Sequence, residues 1–161
     1  MKIFESQDIL LFAKRIEENG ERFYHQSADR LQDPKAMELF SYLAEEERVH
    51  RNVFEGMLST MERFDVKETY EGEYLAYLQD YLDRRVIFDS KTAEKELAGV
   101  QDPVSAIDFA IRREMDAILY FTEVKHFVSE GQQGPIDQIL QEERGHFSKL
   151  SDLKKTFEKK K

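Results

Sequence analysis

The chain of 161 residues contains no cysteine. That absence excludes disulfides, zinc ribbons, cysteine-ligated iron–sulfur clusters and any iron held by four cysteine sulfurs. Only 3 prolines and 7 glycines interrupt the chain. So few breakers, with abundant Glu, Lys, Leu and Ala, favour helices over strands and turns. No apolar run approaches the length of a membrane span. Residues 1–11 include Glu5 and Asp8 and no long apolar stretch, so they do not read as a signal peptide. A cytoplasmic protein with no membrane partner is the expectation. Basic charge is also scarce: the net charge is −9, which argues against a sequence-independent grip on nucleic acid or acidic lipid. The one basic cluster, Lys159-Lys160-Lys161, reads as a solvated tail. The length suits a single domain over 1–161 with a real core.

The few prolines sit where helices can begin. Asp33-Pro34 and Asp102-Pro103 each pair an N-cap aspartate with proline in the first helical position, and Gly134-Pro135 does the same less well. They predict four long helices, roughly 6–30, 34–63, 103–129 and 135–157. On the first, Leu10, Ala13, Glu17, Gly20, Tyr24, Ala28 and Leu31 share a face. The second presents Ala36, Phe40, Leu43, Glu47, His50, Phe54, Leu58 and Met61, and the third Ile107, Ala110, Glu114, Ala117, Ile118, Phe121 and Val128. The fourth presents Ile136, Ile139, Glu143, His146, Leu150 and Phe157. Residues 65–101 have no such place. Within them, Tyr74, Leu75, Leu78, Tyr81, Leu82 and Val86 predict a shorter amphipathic helix over 71–88. A connection this long is needed only if helices two and three run parallel, which predicts an all-α four-helix bundle with one long crossover.

The same unit occurs twice. Phe12-Ala13-Lys14-Arg15-Ile16-Glu17 is echoed by Phe109-Ala110-Ile111-Arg112-Arg113-Glu114, and each glutamate is followed by an aromatic pair, Phe23-Tyr24 and Tyr120-Phe121. Farther on, Glu46-Glu47-Arg48-Val49-His50 is echoed by Glu142-Glu143-Arg144-Gly145-His146. Glu17, Glu47, Glu114 and Glu143 therefore fall inside apolar stripes, where each ionised carboxylate costs several kcal/mol unless compensated. Arg48 and Arg144 point about 100° away around the helix, Lys14 reaches only the margin, and Lys125 lies about three turns from Glu114. Two divalent metals would balance four carboxylates. In Glu47-x-x-His50 and Glu143-x-x-His146 the i and i+3 side chains share a face and can reach one ion, with Glu17 and Glu114 completing the shell. The competing arrangement is a carboxylate–histidine hydrogen-bond network without metal. Oxygen and imidazole donors without sulfur suit iron or manganese.

Neighbouring polar residues read as surface: Glu46 and Glu142 face away, and Glu18 and Glu21 are surface as well, with Glu21 near enough the inner face to be a reserve ligand. His25 and His126 lie off the metal face. Tyr24 reads as a core aromatic able to donate a hydrogen bond or relay an electron. Tyr74, Tyr77 and Tyr81 read as packing or subunit contact, making a homodimer plausible. Gly20 and Ala117, one turn past Glu17 and Glu114, leave room on the inner face.

These blocks resemble the rubrerythrin branch of the ferritin-like superfamily. The resemblance is carried by Ile16-Glu17-Glu18-Asn19-Gly20, Phe23-Tyr24, residues 39–50 and the second block from Ala110 and Glu114 to His146. It implies a di-iron site on Glu17, Glu47, His50, Glu114, Glu143 and His146, and a reaction with hydrogen peroxide or dioxygen. Two features depart from the family pattern: rubrerythrins proper carry a glutamate where Ala117 stands, and usually a four-cysteine rubredoxin domain that passes electrons to the di-iron site. Without it, a separate electron donor is expected. The readings this leaves are an oxidoreductase of peroxidase or ferroxidase type, an iron-handling protein that oxidises, stores or delivers iron, and an enzyme that oxidises an organic substrate.

Overall fold

Asp33 and Asp102 set where two of the helices begin. In the computed structural model of the protein, which describes residues 6–60, 98 and 102–159, Asp33 Oδ1 accepts from the backbone N–H groups of Lys35 and Ala36, both at 3.0 Å. Asp102 Oδ1 accepts from Val104 at 2.9 Å and Ser105 at 3.1 Å. Each aspartate satisfies amides that the first helical turn leaves without an internal partner. The helices are α1 (Ser6–Arg30), α2 (Pro34–Thr60), α3 (Pro103–Val124) and α4 (Glu130–Glu158), with a short 3₁₀ turn at Lys125–Phe127. No described helix is long and apolar enough to cross a membrane.

Two boundaries differ from the sequence expectation. The third helix ends at Val124, not 129, and the fourth begins at Glu130 with Pro135 inside it. Ser129, in extended conformation (φ −63°, ψ 155°), occupies the N-cap position, and Glu130 adds favourable charge to the first turn. Pro135 removes only the bond to the Gly131 carbonyl, and Gly131, Gly134 and Pro135 are all exposed, so water can satisfy that oxygen. The shift brings the second hairpin into register. From Glu114 to Val124 is about 15 Å of helix and from Glu130 to Glu143 about 20 Å, and the 3₁₀ turn makes up the difference at about 2 Å per residue.

Cross-helix contacts give the direction of every element. Lys14 meets Glu55 and Glu21 meets Arg51, so α1 and α2 are antiparallel. Lys125–Asp137 and Lys154–Asp108 show the same for α3 and α4. Across the hairpins, Tyr120 bonds to Ile9 while Tyr24 bonds to Glu114, making α1 and α3 antiparallel. It follows that α2 and α3 run parallel, as the long connection implied. The connection itself, with Tyr74, Tyr77 and Tyr81, and Met61 at the end of the second predicted stripe, lies outside the described residues.

The four apolar stripes meet on the bundle axis as two clusters. One holds Ile9, Leu10, Ile16, Phe54, Tyr120, Phe121, Ile136 and Ile139 at the α1 N-terminal end. The other holds Phe23, Tyr24, Phe40, Leu43, Ile107, Phe109 and Leu150 at the opposite end. Between them lie the buried charged and polar side chains Glu17, Glu47, His50, Arg113, Glu114, Glu143 and His146. The apolar ends hold the bundle together and fix the polar middle.

Removing either cap tests this construction. Asp33→Ala and Asp102→Ala should each lower stability by about 1 kcal/mol in denaturant unfolding. Asp152→Ala, which breaks an exposed pair with Lys155, should change it by less than about 0.5 kcal/mol.

Candidate metal centre

Each helix contributes its polar side chain at the same height. Glu17 lies 13 residues before Arg30 at the end of α1, and Glu47 13 residues after Pro34 at the start of α2. All six residues picked out from the sequence come together in the middle of the bundle. They form two overlapping groups whose ligand atoms lie within 4.8 Å of one another: Glu17, Glu47, His50 and Glu143, and Glu47, Glu114, Glu143 and His146. Glu47 and Glu143 belong to both. The arrangement suggests a binuclear metal site: two carboxylates are common to both groups, and each group adds one further glutamate and one histidine.

Glu143 already lies between the two imidazoles. Its Oε1 is 2.9 Å from His50 Nδ1 and its Oε2 3.1 Å from His146 Nδ1. Glu17 Oε2 is 3.7 Å from His50 Nδ1, and Glu114 Oε2 is 3.8 Å from His146 Nδ1. The imidazoles lie nearly parallel, 5.7 Å apart. Both Nδ1 atoms thus face the carboxylates, and the Nε2 atoms face outward.

Outside them lies a feature the sequence reading placed wrongly. Glu46 and Glu142 do not simply face solvent; each turns to the histidine of the other hairpin. Glu142 Oε2 is 2.8 Å from His50 Nε2, and Glu46 Oε2 is 3.8 Å from His146 Nε2. A carboxylate behind a ligating histidine fixes its ring and raises its basicity. Glu21, the reserve ligand, pairs with Arg51 at 2.6 Å. His25 and His126 are exposed.

A buried cation was also missed. Arg113 is 6% exposed, with its guanidinium carbon 5.3 Å from the Phe23 ring centroid and Nη2 3.4 Å from the Ile16 carbonyl. The angular argument used for Arg48 fails here because Arg113 corresponds to Ile16 in the first copy, an inward position. That match was the available signal. Gly20 does not leave open space either. A Cβ there would stand 2.6 Å from Glu47 Oε2 and 3.1 Å from Arg113 Nη2, so the glycine makes room for the Glu47 carboxylate.

Burial, then neighbouring carboxylates, sets the proton affinities. Glu47 is raised well above the usual carboxylate range by burial, then by Glu17 and Glu143. Burial, then Glu143, does the same to Glu114. Burial alone would lower His50, but the carboxylates of Glu143 and Glu17 overcome it and push the imidazole up to about 12. Glu143 is held low, because His146 and His50 outweigh the effect of burial. Tyr24 donates a hydrogen bond to Glu114, and burial followed by the Glu114 and Glu47 charges pushes its phenol up.

The donor set fits a pair of divalent cations. Both oxygens of fully buried Glu17 lack a hydrogen-bond partner. Such groups are costly to bury unless something binds them. Four carboxylates and two neutral imidazoles supply the charge and donors that two ions need.

The rubrerythrin family model matches residues 8–154. Among solved structures, the chain is similar to a crystal structure from Thermotoga maritima named, provisionally, as a ferritin-like di-iron-carboxylate protein. The two are 25% identical, with a TM-score of 0.65, over 96% of this chain and 97% of that one. No curated protein gives a significant match.

Two outcomes test the site. The protons held by Glu47, Glu114 and His50 must leave when a cation arrives, so metal affinity should rise with pH and uptake near pH 7 should release protons. Calorimetry in buffers of different ionisation enthalpy measures them, and zero release would contradict the arrangement. Gly20→Ala, which crowds the Glu47 carboxylate, should lower metal affinity about tenfold or more while leaving the far-ultraviolet circular dichroism of the helices intact.

Proposed function

Since the chain belongs to the rubrerythrin family, we propose that it is a non-haem di-iron protein that reduces hydrogen peroxide or dioxygen with electrons from a separate donor. The observation that carries this reading is the pair of buried ligand groups sharing Glu47 and Glu143. Glu17 and His50 would hold one ion, Glu114 and His146 the other, and Glu47 and Glu143 both. Manganese could occupy the same donors.

The bound ions would supply Lewis acidity and electrons. The chain's own residues do the rest. The apolar clusters above and below the site keep bulk water from the reacting centre. Glu142 orients the His50 ring from behind, and Glu46 lies on the same side of His146. Tyr24 keeps a phenolic proton at Glu114. Two-electron reduction of peroxide consumes two protons and yields two waters. With no cysteine in the chain to hold a rubredoxin-type iron, a separate donor would re-reduce the ions after each turnover. A cytoplasmic location suits such a reductant, and a homodimer or larger homo-oligomer remains part of the proposal.

An anaerobic ferrous titration followed by peroxide and a reductant tests the reading. The expected result is two irons per chain and repeated turnover of peroxide. Uptake of many irons per chain would favour iron storage instead. Glu47→Ala, which removes a shared carboxylate, should cut iron content to less than about one ion per chain, because both ligand groups lose a member. Unchanged iron content in that variant would sink the proposal.

A further inference from the structure

The duplication supplies an internal control for what lies outside the two histidines. On one side, Gln138 Nε2 donates to Glu142 Oε1 at 3.0 Å, and Glu142 Oε2 meets His50 Nε2. At the matching position of the other copy, four residues before Glu46, stands Tyr42, whose phenol donates to Glu46 Oε2 at 3.0 Å. That same oxygen is 3.8 Å from His146 Nε2. The Tyr42 ring also meets the His146 imidazole edge to face, with centroids 6.3 Å apart. So one outer carboxylate ends in an amide without redox chemistry and the other in a phenol.

Tyr42 is also within reach of solvent. It is 40% exposed and lines an open surface groove with Lys35, Glu38, Leu39 and Lys149. Lys149 Nζ lies 4.2 Å from the ring centroid and donates to the phenol oxygen at 3.0 Å. Tyr42 therefore links the groove to the centre in two ways: by its hydrogen bond to Glu46, whose Oε2 stops 3.8 Å short of His146 Nε2, and by its own edge-to-face contact with the His146 ring. Tyr24 and Tyr120, the other tyrosines among the described residues, are buried.

The geometry points to Tyr42 as the redox relay between the surface and the metal centre, re-reduced at the groove by a one-electron donor. The inference rests on the proposed reaction with peroxide or dioxygen. Once that oxidant has reacted, Tyr42 gives one electron inward along the His146 side and its phenolic proton to the Glu46 carboxylate. What remains is a neutral phenoxyl radical. The donor in the groove returns one electron, the proton returns from Glu46, and the phenol is restored.

The test uses the whole chain, loaded anaerobically with ferrous iron, mixed with hydrogen peroxide and freeze-quenched for electron paramagnetic resonance. A phenoxyl signal is expected, narrowed when the tyrosine rings are deuterated and quenched by ascorbate as the one-electron donor. Tyr42→Phe should reduce it by about tenfold with iron content unchanged. The double variant Tyr42→Phe/Gln138→Tyr, which moves the phenol to the mirrored position, should regain it. A protein that takes up no iron overturns both this inference and the reading beneath it. A protein that takes up iron but gives no phenoxyl signal, or one that Tyr42→Phe leaves unchanged, overturns this inference alone. In the second case Tyr24, hydrogen-bonded to Glu114, becomes the source.

Discussion

Four glutamates buried in the middle of an apolar bundle are the constraint on which everything else depends. Ionised carboxylates at such close quarters repel one another and lose their hydration, and both effects destabilise the bundle. The protein confines the problem to one layer, with an apolar cluster at each end. Within that layer, protons raised onto Glu47, Glu114 and His50 relieve part of the charge. Burial and then Glu143 still keep Glu114 high, and the nearby Arg113 charge offsets only part of that rise. A pair of divalent cations would relieve the rest, and the candidate ligand atoms fall in two overlapping groups, each within 4.8 Å. Folding geometry and metal chemistry thus meet in the same six side chains.

The duplication makes the two halves of the site comparable residue by residue, and the differences are informative. Ile16 in the first copy corresponds to Arg113 in the second, so only one half brings a cation to the layer. Tyr24 corresponds to Phe121, so the Glu114 side has a buried phenol and the Glu17 side does not. Tyr42 corresponds to Gln138, so among the described residues only the His146 side meets a solvent-exposed phenol. The ligands kept their symmetry while their surroundings lost it. Two ions bound to matching donors would therefore sit in unequal environments.

The inward faces were legible from sequence because apolar residues recurring at the helical period identify a stripe whatever interrupts it. Glu17, Glu47, Glu114 and Glu143 stood out for that reason. Parallel α2 and α3 were legible from the length of the connection alone. The boundaries of the second hairpin were not. Gly134-Pro135 mimics a helix start, while the helix begins at Glu130 behind a Ser129 whose side chain makes no capping bond. Glu46 and Glu142 escaped for a different reason: they lie about 100° around the helix from the ligands, yet a glutamate is long enough to reach the histidine of the next helix. Angular position on one helix says nothing about what the neighbouring helix brings close. Arg113 was hidden by the same limit and visible only by aligning the two copies.

The central claim is that the six side chains hold two metal ions, with Glu47 and Glu143 between them. Anomalous X-ray diffraction from crystals of the iron-loaded protein measures this most directly. The account predicts two peaks about 3.5–4 Å apart, both contacting Glu47 and Glu143. Glu17 and His50 should flank one, and Glu114 and His146 the other. A single peak, or peaks lying away from Glu47 and Glu143, would contradict it.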